Sequence, residues 1–288
     1  SKLSRYAKKI NSDIRFIGVP KTIDNDLVHT DHTPGFGSAA KYVASMVREV
    51  AIDASVYDNK KSVTIVEIMG RHAGWLTAAS ALARKYDGDN PRLIYLPETA
   101  FDQEAFLKKV QKMLETTPNL VVCISEGIHD KNGTFVCELV GDIGTDTFGH
   151  KMLTGSGKYL ENLVKERIGV KVRSIELNVC QHCSSEYLSA TDLNESENAG
   201  IVGVQAALKG ETGKMITFIR NCDLPYELSY ETADVNEICN MEKAVPSDWI
   251  TEDGCDVTEA FIQYARPLIQ GKVVLPEENG LPLFAYRK

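Results

Sequence analysis

Two runs, "VTIVEI" (63–68) and "LVVCIS" (120–125), are apolar almost throughout rather than at every second position. A strand with one face in water alternates; a strand covered on both faces does not. These runs therefore predict buried parallel strands, and whatever covers them must come from the segments between. "IRFIGV" (14–19), "RLIYL" (92–96), 170–179 and "MITFI" (215–219) read as further strands.

The intervening segments carry a helical period. Val43, Met46, Val47 and Val50 recur at i, i+3, i+4, i+7. Phe106, Val110, Met113 and Leu114 mark a second helix with Asp102 placed to cap its N-terminus. Leu160, Leu163, Val164 and Ile168 mark a third, closed by Gly169. Residues 256–270 predict another helix. Strands alternating with helices give an α/β fold with mainly parallel sheets, in 288 residues that suffice for two domains. No internal repeat or low-complexity stretch interrupts the pattern.

The net charge of −8 argues against nucleic acid or an anionic membrane as partner, so an anionic substrate needs a local cluster of cations. No apolar run approaches the ~20 residues that span a bilayer. The opening "SKLSRYAKKINSD" lacks the apolar core of a secretion signal, and the seven cysteines are an odd number, so a reduced, cytoplasmic setting is expected. "CQHC" (180–183) has C-x-x-C spacing, but a zinc site needs about four ligands and no second pair follows. Two small residues near a strand end is the reading preferred there.

In open α/β sheets ligands bind beyond the carboxyl ends of strands. Three such ends here are charged: "PKTIDND" after 14–19, "MGRHAG" after 63–68, and "SEG" with Glu126. Asp24 and Asp26 suit a general base and a metal-linked carboxylate, or Asx-turn caps of loop backbone. Lys21 and Thr22 suit a phosphoryl group, and Arg71 an anion or sugar oxygen. "GFGSAA" (35–40) opens a helix and is either an anion cradle or a tight turn. "TGSGKYL" (154–160) looks like a phosphate-binding loop but has the wrong spacing, with Tyr159 where Ser or Thr should hold Mg²⁺.

"PKTIDND", "IVEIMGRHAGWL" and "ISEG", in this order, resemble the phosphofructokinase family, and the likeness continues through "SIELNVCQHCSS" and "ATDLNESENAGIVG". "PKTIDND" with "TPGFG" is similar to the pyrophosphate-dependent branch; ATP-dependent members usually have glycine in place of Lys21. The resemblance implies a Rossmann-like three-layer αβα fold, with two domains of which the first is truncated. It divides the chain into 1–37 as a remnant of the phosphoryl-donor domain, 38–181 as the fructose 6-phosphate domain, and 182–288 as the return segment plus C-terminal extension. It also implies Mg²⁺-assisted phosphoryl transfer from pyrophosphate to O1 of fructose 6-phosphate.

By the same resemblance Asp24 is the base, Thr22 contacts sugar and transferred phosphoryl, and Asp26 supports Mg²⁺. Met69, Gly70 and Arg71 bind the sugar phosphate, Glu126 accepts sugar hydroxyls, and Lys21 lies near the donor phosphate. Arg173 matches an arginine that reaches the 6-phosphate across a subunit interface, so a homo-oligomer is implied. His182 stands where the family has an arginine, and a neutral imidazole holds an anion less well than a guanidinium. The family's donor loop precedes "TIDND" by a length of chain that this sequence does not include, so a fragment with weak or no activity is expected. An ATP-dependent enzyme and a non-catalytic, sugar-phosphate-binding regulatory subunit are the alternatives.

Overall fold

The computed structural model describes residues 2–56, 60–140 and 155–285. The four-stranded sheet is built from β2 (Ser62–Ile68), β3 (Leu93–Tyr95), β4 (Asn119–Ser125) and β5 (Lys171–Glu176), in the order β3-β4-β2-β5 and parallel throughout. Val63 pairs with Leu120 and Val172, which sets the register across the centre.

Both central strands are buried along almost their whole length, as their unbroken apolar runs require. Alternate residues go to opposite faces. Val66, Ile68, Val121 and Cys123 meet α2 (Phe36–Ser55) and α3 (Trp75–Ala79). Val63, Ile65, Leu120 and Val122 meet α4 (Gln103–Met113) and α5 (Ser156–Arg167). The result is three layers, with each fully buried Phe, Ile or Leu stabilising by ~1.5–3 kcal/mol.

The expected helix signals act as proposed. Asp102 accepts from the Ala105 N–H at 2.9 Å. Gly169 adopts φ +77° and closes α5 with a bond to the Val164 carbonyl.

The second sheet has the order β1-β6-β7, from β1 (Ile17–Gly18), β6 (Lys214–Asp223) and β7 (Tyr226–Asp234). β1 is parallel to β6, and β6 and β7 form an antiparallel hairpin. Strand β1 is much shorter than 14–19, because Ile14 is exposed and Phe16 turns its N–H to the Thr212 hydroxyl. β5 occupies only the middle of 170–179, since the chain folds into the single turn α6 (Cys180–Cys183). The hairpin partner β7 was not expected; its residues are only partly buried, so no apolar run announces it. Helix α7 (Ala190–Leu208) covers this sheet through Ala199 and Ala206 on Ile216 and Phe218. Within 256–270 the helix is α9 (Glu259–Ala265), whose Phe261 and Tyr264 join the core beside α2 and α3. None of the described helices is long and apolar enough to cross a membrane.

Candidate active site

The turns after β1, β2 and β4 converge. Asp24, Asp26, Met69, Gly70, Arg71, His72, Ala73, Glu126 and Glu242 line one cavity of about 350 Å³. Six of these, Asp24, Asp26, Met69, Gly70, Arg71 and Glu126, are residues that the strand ends and the resemblance single out.

The aspartate turn is held from behind. Thr22 Oγ1 donates to Asp24 Oδ2 and accepts the Asp24 N–H, both at 3.1 Å. Thr22 thus fixes the carboxylate of Asp24 without lining the cavity itself. Asn25, fully buried at φ +57°, donates to the Tyr264 hydroxyl at 2.8 Å and accepts the Thr33 N–H. The residues on either side of it, Asp24 and Asp26, line the cavity. Behind the turn, His32 is sandwiched between Asp31 and Glu195, each at 2.7 Å. Burial opposes its charge, but the two carboxylates raise its pKa above the ordinary value. Arg220 closes the cluster on Asp31 at 2.9 Å.

The second and third turns interlock. Gly70 has φ +145°, and a Cβ there would lie 2.6 Å from the Ala73 carbonyl. Ser125 Oγ donates to the Gly70 carbonyl, and the Gly70 N–H points to Glu126 Oε1 at 3.4 Å. At Gly127 a Cβ would lie 1.9 Å from the Arg71 carbonyl, so only glycine lets these turns meet. The Arg71 Nε is buried with no hydrogen-bond partner. A guanidinium with a spare enclosed donor beside an open cavity suits an anionic or hydroxylated ligand.

The electrostatics are those of crowded acids. Burial and the nearby Asp24 raise Asp26 above the usual carboxylate range. Burial pushes Glu126 up to about 7, against the pull of the Gly70 N–H and Arg71.

The remaining predicted residues lie outside the cavity lining. Lys21 is exposed. Arg173 sits on the edge strand β5, where its guanidinium is 3.5 Å from Asp53. His182 is exposed on α6, with Nε2 3.2 Å from the Met69 sulfur, so it touches the cavity through Met69. Gln181 accepts the Met69 N–H at 3.2 Å. Cys180 and Cys183 are free and exposed, and among the described residues no cluster of three or more His, Cys, Asp or Glu is arranged to hold a metal.

Both glycine-rich helix starts turn inward. Gly35 and Ser38 donate backbone N–H groups to Asp192 at 2.8 and 3.0 Å. Gly157 and Gly155 donate to Glu67 at 2.6 and 3.3 Å; Thr154, the first residue of the second stretch, lies outside the described residues.

His72 and Glu242 were missed. His72 follows Arg71 within the quoted motif. Glu242 lies in a segment without periodicity, and nothing in the sequence places it here.

Residues 2–206 match the family model described as Phosphofructokinase. A pyrophosphate–fructose 6-phosphate 1-phosphotransferase of Xanthomonas campestris is 43% identical across the whole chain, which covers 69% of that protein. Its counterpart in Halomonas elongata is 39% identical over 99% of the chain and 67% of the relative. A crystal structure of a pyrophosphate-dependent phosphofructokinase from Marinobacter aquaeolei superposes with TM-score 0.87 at 35% identity, over 98% of this chain and 67% of that one. The chain thus spans about two thirds of the length of these relatives.

Proposed function

This chain belongs to the phosphofructokinase family, and from that premise we propose that it serves phosphoryl transfer from pyrophosphate to O1 of fructose 6-phosphate. The observation that carries the reading is the shared cavity, where Asp24 faces the same space as Arg71 and Glu126. Names of relatives at 43% and 39% identity support pyrophosphate as donor.

Asp24, oriented by Thr22, takes the proton of the sugar 1-hydroxyl. Glu126 accepts sugar hydroxyls, and the spare Arg71 donor, with Met69 and Gly70, holds the sugar phosphate. Phosphoryl transfer through a loose transition state needs positioning, cations and one base rather than a covalent nucleophile. Lys21, exposed beside the turn, faces the donor side. Arg173 lies away from this cavity, and we assign it to the cavity of a neighbouring copy in a homo-oligomer. His182 lies at the margin of the sugar-phosphate subsite. The division at 1–37, 38–181 and 182–288 is kept as our proposal.

Asp26 fits Mg²⁺. Its oxygens are hard donors, and this ion is usually held by one or two carboxylates plus substrate phosphates rather than by a protein cage. Bound there, Mg²⁺ would offset charge building on the transferred phosphoryl group.

Calorimetric titration of the 288-residue chain with fructose 6-phosphate tests the binding half, with Arg71→Ala expected to weaken it at least ~10-fold. A coupled assay with pyrophosphate and then ATP tests the donor; turnover with ATP alone overturns our choice.

A further inference from the structure

We propose that Lys243 is a positioning residue of this site: it ties the aspartate turn to the wall that carries Gly70 and Arg71. The inference rests on the functional reading above for what the turn does, but not for the contacts themselves. Lys243 lies beyond the residues matched by the family model.

Its contacts span the cavity. The Lys243 backbone N–H donates to the Asp26 carbonyl at 2.6 Å. Its Nζ donates to the carbonyls of Thr30 at 3.0 Å and Asp31 at 2.7 Å. These bonds grip the turn at both ends of the stretch containing Asp26. On the other side, the Lys243 carbonyl accepts from Trp75 Nε1 at 2.8 Å, and the ammonium lies 5.0 Å from that indole ring. Trp75 begins α3, directly after the turn with Gly70, Arg71, His72 and Ala73. One residue therefore joins both walls, and the preceding residue, Glu242, lines the cavity between them.

The side-chain chemistry is specific. The ammonium bonds to main-chain carbonyls, not to a carboxylate. A half-buried cation without a direct ion pair carries a desolvation cost, and an apolar side chain of the same length would fill the space without that cost. Only a cationic head with several donors can hold two carbonyls and lie over an indole face together. The charged groups around it are Asp26, Asp31 and Arg220. It stands behind a cavity lined by four carboxyl groups and one guanidinium, where a positive charge reduces the repulsion that would spread the turn.

The test uses Lys243→Met and Lys243→Arg in the 288-residue chain with two readouts. In hydrogen exchange followed by mass spectrometry, Lys243→Met should exchange amides of 22–33 about 10-fold faster, with β4 unchanged, and Lys243→Arg should restore most of the protection. In turnover of fructose 6-phosphate and pyrophosphate, Lys243→Met should lower kcat by about 10–100-fold with KM within ~3-fold, because the aimed carboxylate is lost rather than the sugar subsite. Lys243→Gln, which keeps an amide donor group but loses the charge, replaces the methionine variant if that one does not fold. Wild-type exchange and wild-type kcat in Lys243→Met overturn the proposal, as does a rise in KM with kcat unchanged. If the wild-type chain shows no turnover, calorimetric binding of fructose 6-phosphate decides the functional reading and the exchange experiment alone decides the role of Lys243.

Discussion

Two sets of carboxylates in this molecule have opposite fates. Glu67 and Asp192 spend both oxygens on backbone N–H groups around the starts of α5 and α2, and Glu98 commits one oxygen, Oε1, to the Gly74 N–H at the start of α3 while its Oε2 is buried without a partner. Asp24, Asp26, Glu126 and Glu242 line an open cavity. Helix N-termini attract anions, because their first N–H groups are unpaired and the helix dipole is positive there. This chain fills three of them with its own acids. The anion-seeking glycine stretches are thus structural joints, and the ligand site lies where carboxylates and a guanidinium with a partnerless Nε face an open cavity.

The strongest way to break this division is to substitute one member of each set. Asp24→Asn keeps the size and most contacts of an open carboxylate. It should cut kcat by about 10²–10⁴-fold, while changing stability by less than about 0.5 kcal/mol. Both follow from one coupled assay and one urea melt. A large loss of stability with activity kept would move Asp24 into the structural set.

Asp192→Ala should do the reverse. Asp192 is 6% exposed and accepts from Gly35, Ser38 N–H and the Ser38 hydroxyl, so its loss strands donors at the head of α2. A destabilisation of about 2–3 kcal/mol is expected in urea. Asp192→Asn, which keeps an acceptor, should cost less. An unchanged melt for the alanine variant would mean that water can cap α2, and that its start is an available anion site after all.

This contrast also explains what was legible in the sequence. The strands 63–68 and 120–125 were readable because burial on both faces gives each an almost unbroken apolar run, interrupted only by Thr64 and Glu67 in the first and ended by Ser125 in the second. The three turns were readable because strand ends are fixed points of such a sheet. Glu67 was not readable as a helix cap, because its partner lies 90 positions away. Lys243 and Glu242 were invisible for the same reason: they reach the site by tertiary packing of a segment with no pattern of its own. Strand β6 was readable from "MITFI", but its hairpin partner β7 escaped because a half-exposed strand at the edge of a small sheet carries little apolar signal.

A pH series sharpens the comparison at Glu67. Burial pushes its carboxyl from the ordinary 4.5 up to about 7, although Gly157 and Gly155 donate to it. The folded chain therefore holds a proton that the unfolded chain has already lost. Stability contributed by this group is present below about pH 4.5 and falls as pH rises toward 7, by on the order of 3 kcal/mol at most. Glu67→Gln should remove that part of the slope, so the variant gains on the wild type between pH 5 and pH 8. Parallel stability curves would show that the two N–H donors compensate burial fully and that Glu67 is ionised throughout.

The smallest effect is expected at His182, on the border between the two sets. It is exposed and reaches the cavity only through the Met69 sulfur, 3.2 Å away. Arginine there would place a permanent cation at the margin of the proposed sugar-phosphate subsite. In a solvated position such a charge contributes about 0.5–1 kcal/mol, or roughly 2–5-fold in affinity. His182→Arg should thus lower KM for fructose 6-phosphate by that factor, with kcat unchanged, and the gain should shrink in high salt as exposed charges are screened. A KM that does not move even at low salt would place the 6-phosphate away from α6. The open set would then end at Arg71, whose partnerless Nε would carry the sugar phosphate with help from another copy of the chain.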